Sequence, residues 1–310
     1  MDEKNGLLII SSKSSDYGGV EYHCLDLIRG FSKKYKVTIM CPYGALCQEY
    51  TLNGATVVNK IPKVPFDFSF ALYVKKYCSE NNITIVHGHE LISAQGMLGA
   101  YLAKVPKRVW HVHTPFLFWK NSNIFQDFFK KTVNFITNFF VANFFATNVI
   151  ALTEDIKKHR TYCEWVFNKI TVIPNGVDYT KYSLRISKEE IENFKIQNKI
   201  PLNKIIIGNI SRTSAEKGQI FLCEAFKLLK EKSPNKYFLL IAGGGELESE
   251  LRTYCGNNFE NDFLITGKFE ESEKFKILQS MNFFVFPSTA EGFGYTPIEA
   301  VYSKILVISS

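Results

Sequence analysis

The sequence predicts an α/β chain built as two doubly wound domains. Strand-length apolar runs alternate with segments of helical period from end to end, the signature of parallel sheets with crossover helices. The alternation breaks once, at Pro174-Asn175-Gly176-Val177-Asp178, and then restarts. A chain of 310 residues, 46% hydrophobic and 22% charged, is long and apolar enough for two cores.

Residues 7–11 are a first strand, followed by a loop through Gly18-Gly19 and a helix with Val20, Cys24, Leu27, Ile28 and Phe31 at helical spacing. Further strands are expected at 37–41, 55–59, 83–87, 108–112, 148–152 and 170–173, completing one domain. A polar stretch rich in Lys, Glu and Asn, 187–203, carries the chain onward. The boundary is placed near residue 183, giving domains 1–183 and 184–310. The second domain has strands expected at 205–210, 237–242, 263–267, 283–287 and 306–309, without sequence repetition of the first.

The segment opening Met1-Asp2-Glu3-Lys4 lacks the basic region and apolar core of a secretory signal. Seven cysteines in no paired or metal-ligand spacing read as reduced thiols of a cytoplasmic protein. The net charge of +7 gathers in clusters such as Lys33, Lys34 and Lys36, or Lys157, Lys158, His159 and Arg160. Such clusters suit an anionic substrate or membrane surface, or are solvated faces; no nucleic-acid partner is expected. The uncharged, Phe-rich stretch 132–153 is interrupted by Asn134, Asn138, Asn143 and Asn148, so a buried aromatic helix followed by a strand is expected rather than a membrane span. Phe116, Phe118, Trp119 and Phe125 beside it leave two readings open, ordinary packing or docking at a membrane surface.

In open α/β sheets ligands bind beyond the carboxyl ends of the strands, where helix N-termini favour anions. There, Gly18-Gly19 precedes a helix and lets an anion approach the backbone; neither it nor Gly243-Gly244-Gly245 matches the dinucleotide pattern G-x-G-x-x-G. Arg212 and Lys217 follow a strand, five residues apart, and together would meet a diphosphate, Arg by gripping two oxygens and Lys as a point charge. After the strand at 283–287, Glu291-Gly292-Phe293-Gly294-Tyr295-Thr296-Pro297 leads into a helix. The N-H groups of Gly294 to Thr296 can face an anion, while Glu291 and Glu299, the latter about two turns into that helix, can accept from sugar or ribose hydroxyls.

These residues resemble the retaining glycosyltransferases of family 4, of GT-B fold. Six motifs occur in family order: Gly18-Gly19-x-Glu21; His113 after Trp110-His111-Val112; Val172 to Asp178; Arg212 with Glu216-Lys217-Gly218; Ala242 to Gly245; and Glu291-Gly292-Phe293-Gly294 reaching Glu299. The resemblance implies two Rossmann-like domains facing a cleft, an acceptor-side domain and a nucleotide-sugar donor domain. It implies that Arg212 and Lys217 neutralise the donor diphosphate, with Gly18 and Gly19 close to it. Glu299 would bind ribose, Glu291 the sugar, the backbone of Phe293, Gly294, Tyr295 and Thr296 the sugar or phosphate, and Gly267, Lys268 and Phe269 the nucleobase. His113 would touch the transferred sugar, although His111 competes for that alignment and a strand-end His is often only packed.

The donor implied is a nucleoside diphosphate sugar and the acceptor a glycan or lipid-linked hydroxyl, handled in the cytoplasm or at the inner face of the membrane. No cofactor is implied, and no metal is expected because no Asp-x-Asp stands at a strand end. Relative to the family, the pattern after 306–309 lacks a Gly-rich loop, a further strand and a helix crossing back, so the second domain reads as truncated. Three functions stay open: a transferase building cell-surface glycan or glycolipid, a nucleotide-binding remnant or subunit, or a nucleotide-sugar epimerase.

Overall fold

A computed structural model describes residues 4–11, 18–63, 67–114, 124–159, 168–177 and 186–310, and within 124–130 only the side chain of Phe128. It divides into two compact units, Met1–Gly176 and Val177–Ser310.

In the first unit, strands β1 (Gly6–Ile10), β2 (Lys36–Cys41), β3 (Ala55–Asn59), β4 (Ile83–His89), β5 (Lys107–Val112), β6 (Asn148–Ala151) and β7 (Ile170–Val172) form one parallel sheet, in the order β3-β2-β1-β4-β5-β6-β7. Helices α1 (Gly19–Phe31), α2 (Cys47–Leu52), α3 (Phe68–Glu80), α4 (Ala94–Leu102), α5 (Ile124–Phe140) and α6 (Glu154–His159) connect them. β1 runs through the sheet centre, covered on both faces, which is why Leu7, Leu8, Ile9 and Ile10 form an unbroken apolar run and all are buried. Each such side chain stabilises the fold by about 1.5–3 kcal/mol. On α3, Phe70, Ala71, Val74 and Cys78 recur at helical spacing on the buried side, and the Asp67 carboxylate accepts from Phe70 N to cap its start.

The second unit repeats the plan with β8 (Ile205–Ile210), β9 (Tyr237–Ala242), β10 (Phe263–Ile265), β11 (Phe283–Phe286) and β12 (Leu306–Ser309), ordered β10-β9-β8-β11-β12 and all parallel. Its helices are α7 (Lys188–Gln197), α8 (Gln219–Lys232), α9 (Glu248–Phe259), α10 (Lys274–Gln279) and α11 (Tyr295–Tyr302). Two apolar layers sandwich the sheet: Phe238, Leu240, Phe284 and Phe286 on one side, Leu239, Ile241, Phe226 and Phe259 on the other. β12 is the edge, with Leu306 and Ile308 exposed.

Four details differ from the sequence expectation. β4 continues two residues past His87, through Gly88 to His89. The polar stretch 187–203 is largely the helix α7, begun by a capping box in which Ser187 Oγ accepts from Glu190 N and the Glu190 carboxylate accepts from Ser187 N; Phe194 anchors it in the core. Glu299 is the fifth residue of α11, barely one turn in rather than two. Finally, the aromatic helix is not buried throughout. Apolar residues surround α5 and the π-turn Val141–Phe145 that continues it, so one side packs while Phe128, Phe135, Ile136, Phe140 and Phe144 form an exposed stripe. The inward side instead takes Asn138 and Asn143, whose amides donate to the carbonyls of Asn134 and Phe139 one turn back.

Among the described residues no helix is long and apolar enough to cross a membrane. The six described cysteines are free thiols; Cys163, Arg160, and the aromatic residues Phe116, Phe118 and Trp119 lie outside the described residues, as does the side chain of Phe125.

Candidate functional site

Both sheets reverse strand order at one point, between β1 and β4 in the first unit and between β8 and β11 in the second, and ligands sit at the carboxyl ends beside such points. In the second unit the loops that follow β8 and β11 are tied to each other there. Thr289 N donates to Glu216 O at 2.8 Å, and Lys217 Nζ meets Glu291 Oε2 at 2.5 Å. Gly218 allows the approach: at φ 65° it is left-handed, and a Cβ on it would lie 2.1 Å from Pro287 O.

The loop after β8 is itself stitched down. Asn209 Nδ2 donates to Val285 O, Ser211 Oγ donates to Asn209 Oδ1, and Gln219 Nε2 donates to both Ser211 Oγ and Arg212 O. Glu216 Oε1 accepts from Arg212 Nη2 and Ser214 Oγ, both at 2.7 Å. Burial would raise the Glu216 pKa, but these hydrogen bonds outweigh it and hold the carboxyl below its usual value. The Arg212 side chain is 63% exposed and the Lys217 side chain 18%. Two cations thus stand on one fixed loop, each paired with a carboxylate, Arg212 largely exposed to solvent and Lys217 mostly enclosed.

The turn after β11 ends at Gly294, which caps α11 at φ 76°. The first-turn N-H groups of Tyr295 and Thr296 have no acceptor within the helix, and Phe293 packs edge-on to Tyr295 with centroids 5.1 Å apart. Glu299, 5% exposed, pairs with Lys274 Nζ at 2.7 Å, and Lys274 also meets Glu271 at 3.2 Å. Burial opposes the charge on both partners. It raises the Glu299 pKa against the pull of Lys274; the Lys274 pKa also ends above its usual value, because the two carboxylates outweigh burial there. Glu299 Oε2 is buried with no hydrogen-bond partner among the described residues. It is an acceptor that an incoming hydroxyl could satisfy.

Gly267, Lys268 and Phe269 follow β10. Gly243 N donates to Gly267 O at 3.0 Å across an isolated bridge, Lys268 is exposed, and Phe269 packs on the core layer that contains Phe284 and Phe286.

In the first unit, Gly18 is the N-cap of α1 and Gly19 its first residue, so the helix begins one position earlier than the sequence suggested, and the loop 12–17 lies outside the described residues. His113 follows β5 and is buried, its Nε2 2.8 Å from His89 Nδ1. Glu90, with φ 53° just past β4, fixes the turn: its Oε1 accepts from His113 N, Thr114 N and Thr114 Oγ1. His111 is paired separately, its Nδ1 3.3 Å from His87 Nε2. Burial lowers every one of these imidazole pKa values, that of His87 to about 3, so the rings are neutral at neutral pH.

Sequence reasoning missed several participants. Lys274, which neutralises Glu299, stands in a helix with no motif to mark it. Asn209, Gln219 and Glu90 act through hydrogen bonds that spacing does not reveal. The clustering of histidines was readable, since His87-x-His89 and His111-x-His113 close two strands that the topology makes neighbours.

Comparison with known proteins follows the division into units. Residues 17–181 match the family model described as Glycosyltransferase Family 4, and residues 190–310 the model described as Glycosyl transferases group 1. The chain is 31% identical over 183 residues to the capsular polysaccharide biosynthesis glycosyltransferase CapM of Staphylococcus aureus, covering 55% of this chain and 45% of that one. It is 27% identical over 243 residues to the Escherichia coli UDP-Gal:alpha-D-GlcNAc-diphosphoundecaprenol alpha-1,3-galactosyltransferase, covering 76% and 59% respectively. The chain therefore spans about half the length of these relatives. The crystal structure of Anabaena HepE in complex with UDP-glucose shares the fold, with a TM-score of 0.76 at 20% identity, over 98% of this chain and 80% of that one.

Proposed function

Since the chain belongs to the family 4 glycosyltransferases and has their GT-B fold, we propose that it moves a sugar from a nucleoside diphosphate sugar to an acceptor hydroxyl with retention of configuration. The observation that carries this reading is the fixed pair of loops at the carboxyl edge of the second sheet. They place Lys217 on Glu291, and Arg212 on the same short loop. The turn they share leads into α11, where Glu299 keeps one buried carboxylate oxygen unpartnered.

On this reading Arg212 and Lys217 hold the donor diphosphate, Glu299 accepts from ribose, and Glu291, held by Lys217, accepts from the sugar. The first-turn N-H groups of Tyr295 and Thr296 add dipoles aimed at negative charge. His113 is neutral, so it contacts the sugar as a hydrogen-bonding group without competing as a cation. The acceptor hydroxyl attacks carbon from the face the diphosphate leaves, and a diphosphate oxygen takes its proton. The protein positions the two and stabilises the departing charge. Glu291 is bound to Lys217 in the free chain, so donor binding must share or open that ion pair.

The acceptor we propose is a glycan or lipid-linked sugar in cell-surface polysaccharide, lipopolysaccharide or glycolipid assembly, in the cytoplasm at the membrane's inner face. The two relatives named above are a capsular polysaccharide enzyme and a diphosphoundecaprenol-linked galactosyltransferase, and the exposed aromatic stripe of α5 is suited to a lipid interface. We further propose that the first domain, 1–183, is the acceptor side and the second, 184–310, the donor side.

The test incubates purified chain with a panel of nucleoside diphosphate sugars and lipid-linked acceptors and follows product by mass spectrometry. Retentive transfer from one donor supports the reading. Tight nucleotide binding without transfer from any donor favours a binding subunit, and donor conversion without acceptor favours an epimerase; either overturns it.

A further inference from the structure

Five of the six histidines lie together on one face of the first sheet. β4 and β5 run parallel in a register that sets His89 opposite His111, and the two-residue period of a strand puts His87 and His113 on that face. His23, on α1, packs its ring edge-on against His89, His111 and His113.

We infer that His23, His89 and His111, whose Nε2 atoms are left without a partner among the described residues, form a binding site for a divalent transition-metal ion of the Zn2+ class, with His113 beside it. Each offers one ring nitrogen, and these nitrogens lie within 4.8 Å of one another. Tetrahedral Zn2+ holds its nitrogens about 3.4 Å apart and imidazole centroids about 5 Å apart. The three ring separations within the set, 5.6, 4.7 and 5.5 Å, are near that spacing.

Polar satisfaction points the same way. The Nε2 atoms of His23, His89 and His111 are buried with no hydrogen-bond partner among the described residues, while His89 and His111 each use the opposite nitrogen, Nδ1, in a hydrogen bond. Buried polar atoms are seldom left so, and a metal supplies the missing partner. His87 Nε2 against His111 Nδ1, and His113 Nε2 against His89 Nδ1, are the kind of outer contact that orients a ligating imidazole. Among the described residues the donor set is imidazole alone: the near carboxylate, Glu90, has its Oε1 taken by backbone N-H groups and Thr114. All-imidazole donors favour Zn2+, Cu2+, Ni2+ or Co2+ over Mg2+ or Ca2+.

The test titrates Co2+ into the metal-stripped full chain and reads the visible spectrum. The expected result is one Co2+ per chain, with the intense d-d bands of a tetrahedral site and no thiolate charge-transfer band, displaced by Zn2+ and not by Mg2+. His23 is only partly buried on α1, so His23→Ala should fold, confirmed by circular dichroism, and bind Co2+ about 100-fold more weakly. His159→Ala, on α6 and outside the cluster, should bind as wild type. An octahedral or thiolate spectrum from the wild-type chain, or unchanged affinity in His23→Ala, overturns the assignment; the wild-type spectrum decides the ligand type even if a variant misfolds.

Discussion

Replacing Gly218 by alanine tests whether the two donor-side loops are one rigid piece. The residue sits at φ 65°, where a side chain costs about 1–2 kcal/mol. Its Cβ would lie 2.1 Å from Pro287 O and 3.1 Å from Pro287 C, against backbone that no rotamer change can move. Restoring ordinary contact separates the loops by more than about 1 Å, beyond what the 2.8 Å bond from Thr289 N to Glu216 O tolerates. Its loss adds about 0.5–1.5 kcal/mol, and the partly buried Lys217–Glu291 pair up to about 1 kcal/mol more. The total is about 1.5–4.5 kcal/mol, read by urea unfolding followed with circular dichroism. Gly256→Ala is the control. It lies inside α9 with nothing within 4 Å of its would-be Cβ, so it should be neutral or stabilise by up to about 1 kcal/mol. If Gly218→Ala unfolds with the wild-type midpoint and binds nucleotide as well, the loops are not pinned as described and the reasoning fails.

Other outcomes follow from the same structure. Lys274→Met should destabilise by about 3–5 kcal/mol by leaving Glu299 buried and uncompensated, and Glu299→Gln in the same chain should recover most of that; equal losses in single and double variants would exclude the pairing. Burial raises the thiol pKa of Cys24 and Cys78 from 9.0 to about 12. The folded values exceed the unfolded one, so their contribution is intact below pH 9 and is lost as pH rises toward 12, at about 1.4 kcal/mol per thiol per pH unit. Urea midpoints between pH 8 and 10 should fall, and fall less in Cys24→Ala and Cys78→Ala. Phe140→Ser with Phe144→Ser should reduce sedimentation with anionic lipid vesicles without changing the unfolding midpoint, since both side chains are exposed; undiminished sedimentation would remove α5 as the lipid contact.

Much of the fold was legible because parallel sheets announce themselves. Central strands covered on both faces are mostly apolar, and runs such as 205–210 and 237–242 coincide with β8 and β9 end to end, the buried Asn209 in the first being satisfied by Val285 O. The missed α7 carries its signal in Ser187-Lys188-Glu189-Glu190, a capping box that polar composition disguised as linker. α5 misled for the opposite reason. Composition measures how apolar a helix is but not how much neighbouring surface exists to cover it, and among the described residues five large apolar side chains of α5 and the adjoining π-turn stay exposed. At the site, glycine-bearing loops and their cations were readable as spacing. The contact of Lys217 with Glu291 joins residues 74 apart, and that of Lys274 with Glu299 residues 25 apart, pairings that only the folded chain defines.

The proposed transfer depends most on the loops after β8 and β11 being an anion-binding pair, and titration calorimetry of a nucleoside diphosphate into wild-type and Lys217→Ala chains reaches that directly. Loss of one charge-assisted hydrogen bond should weaken binding about 10- to 150-fold while the unfolding midpoint moves by no more than about 1 kcal/mol equivalent. Equal affinities in the two chains would contradict it.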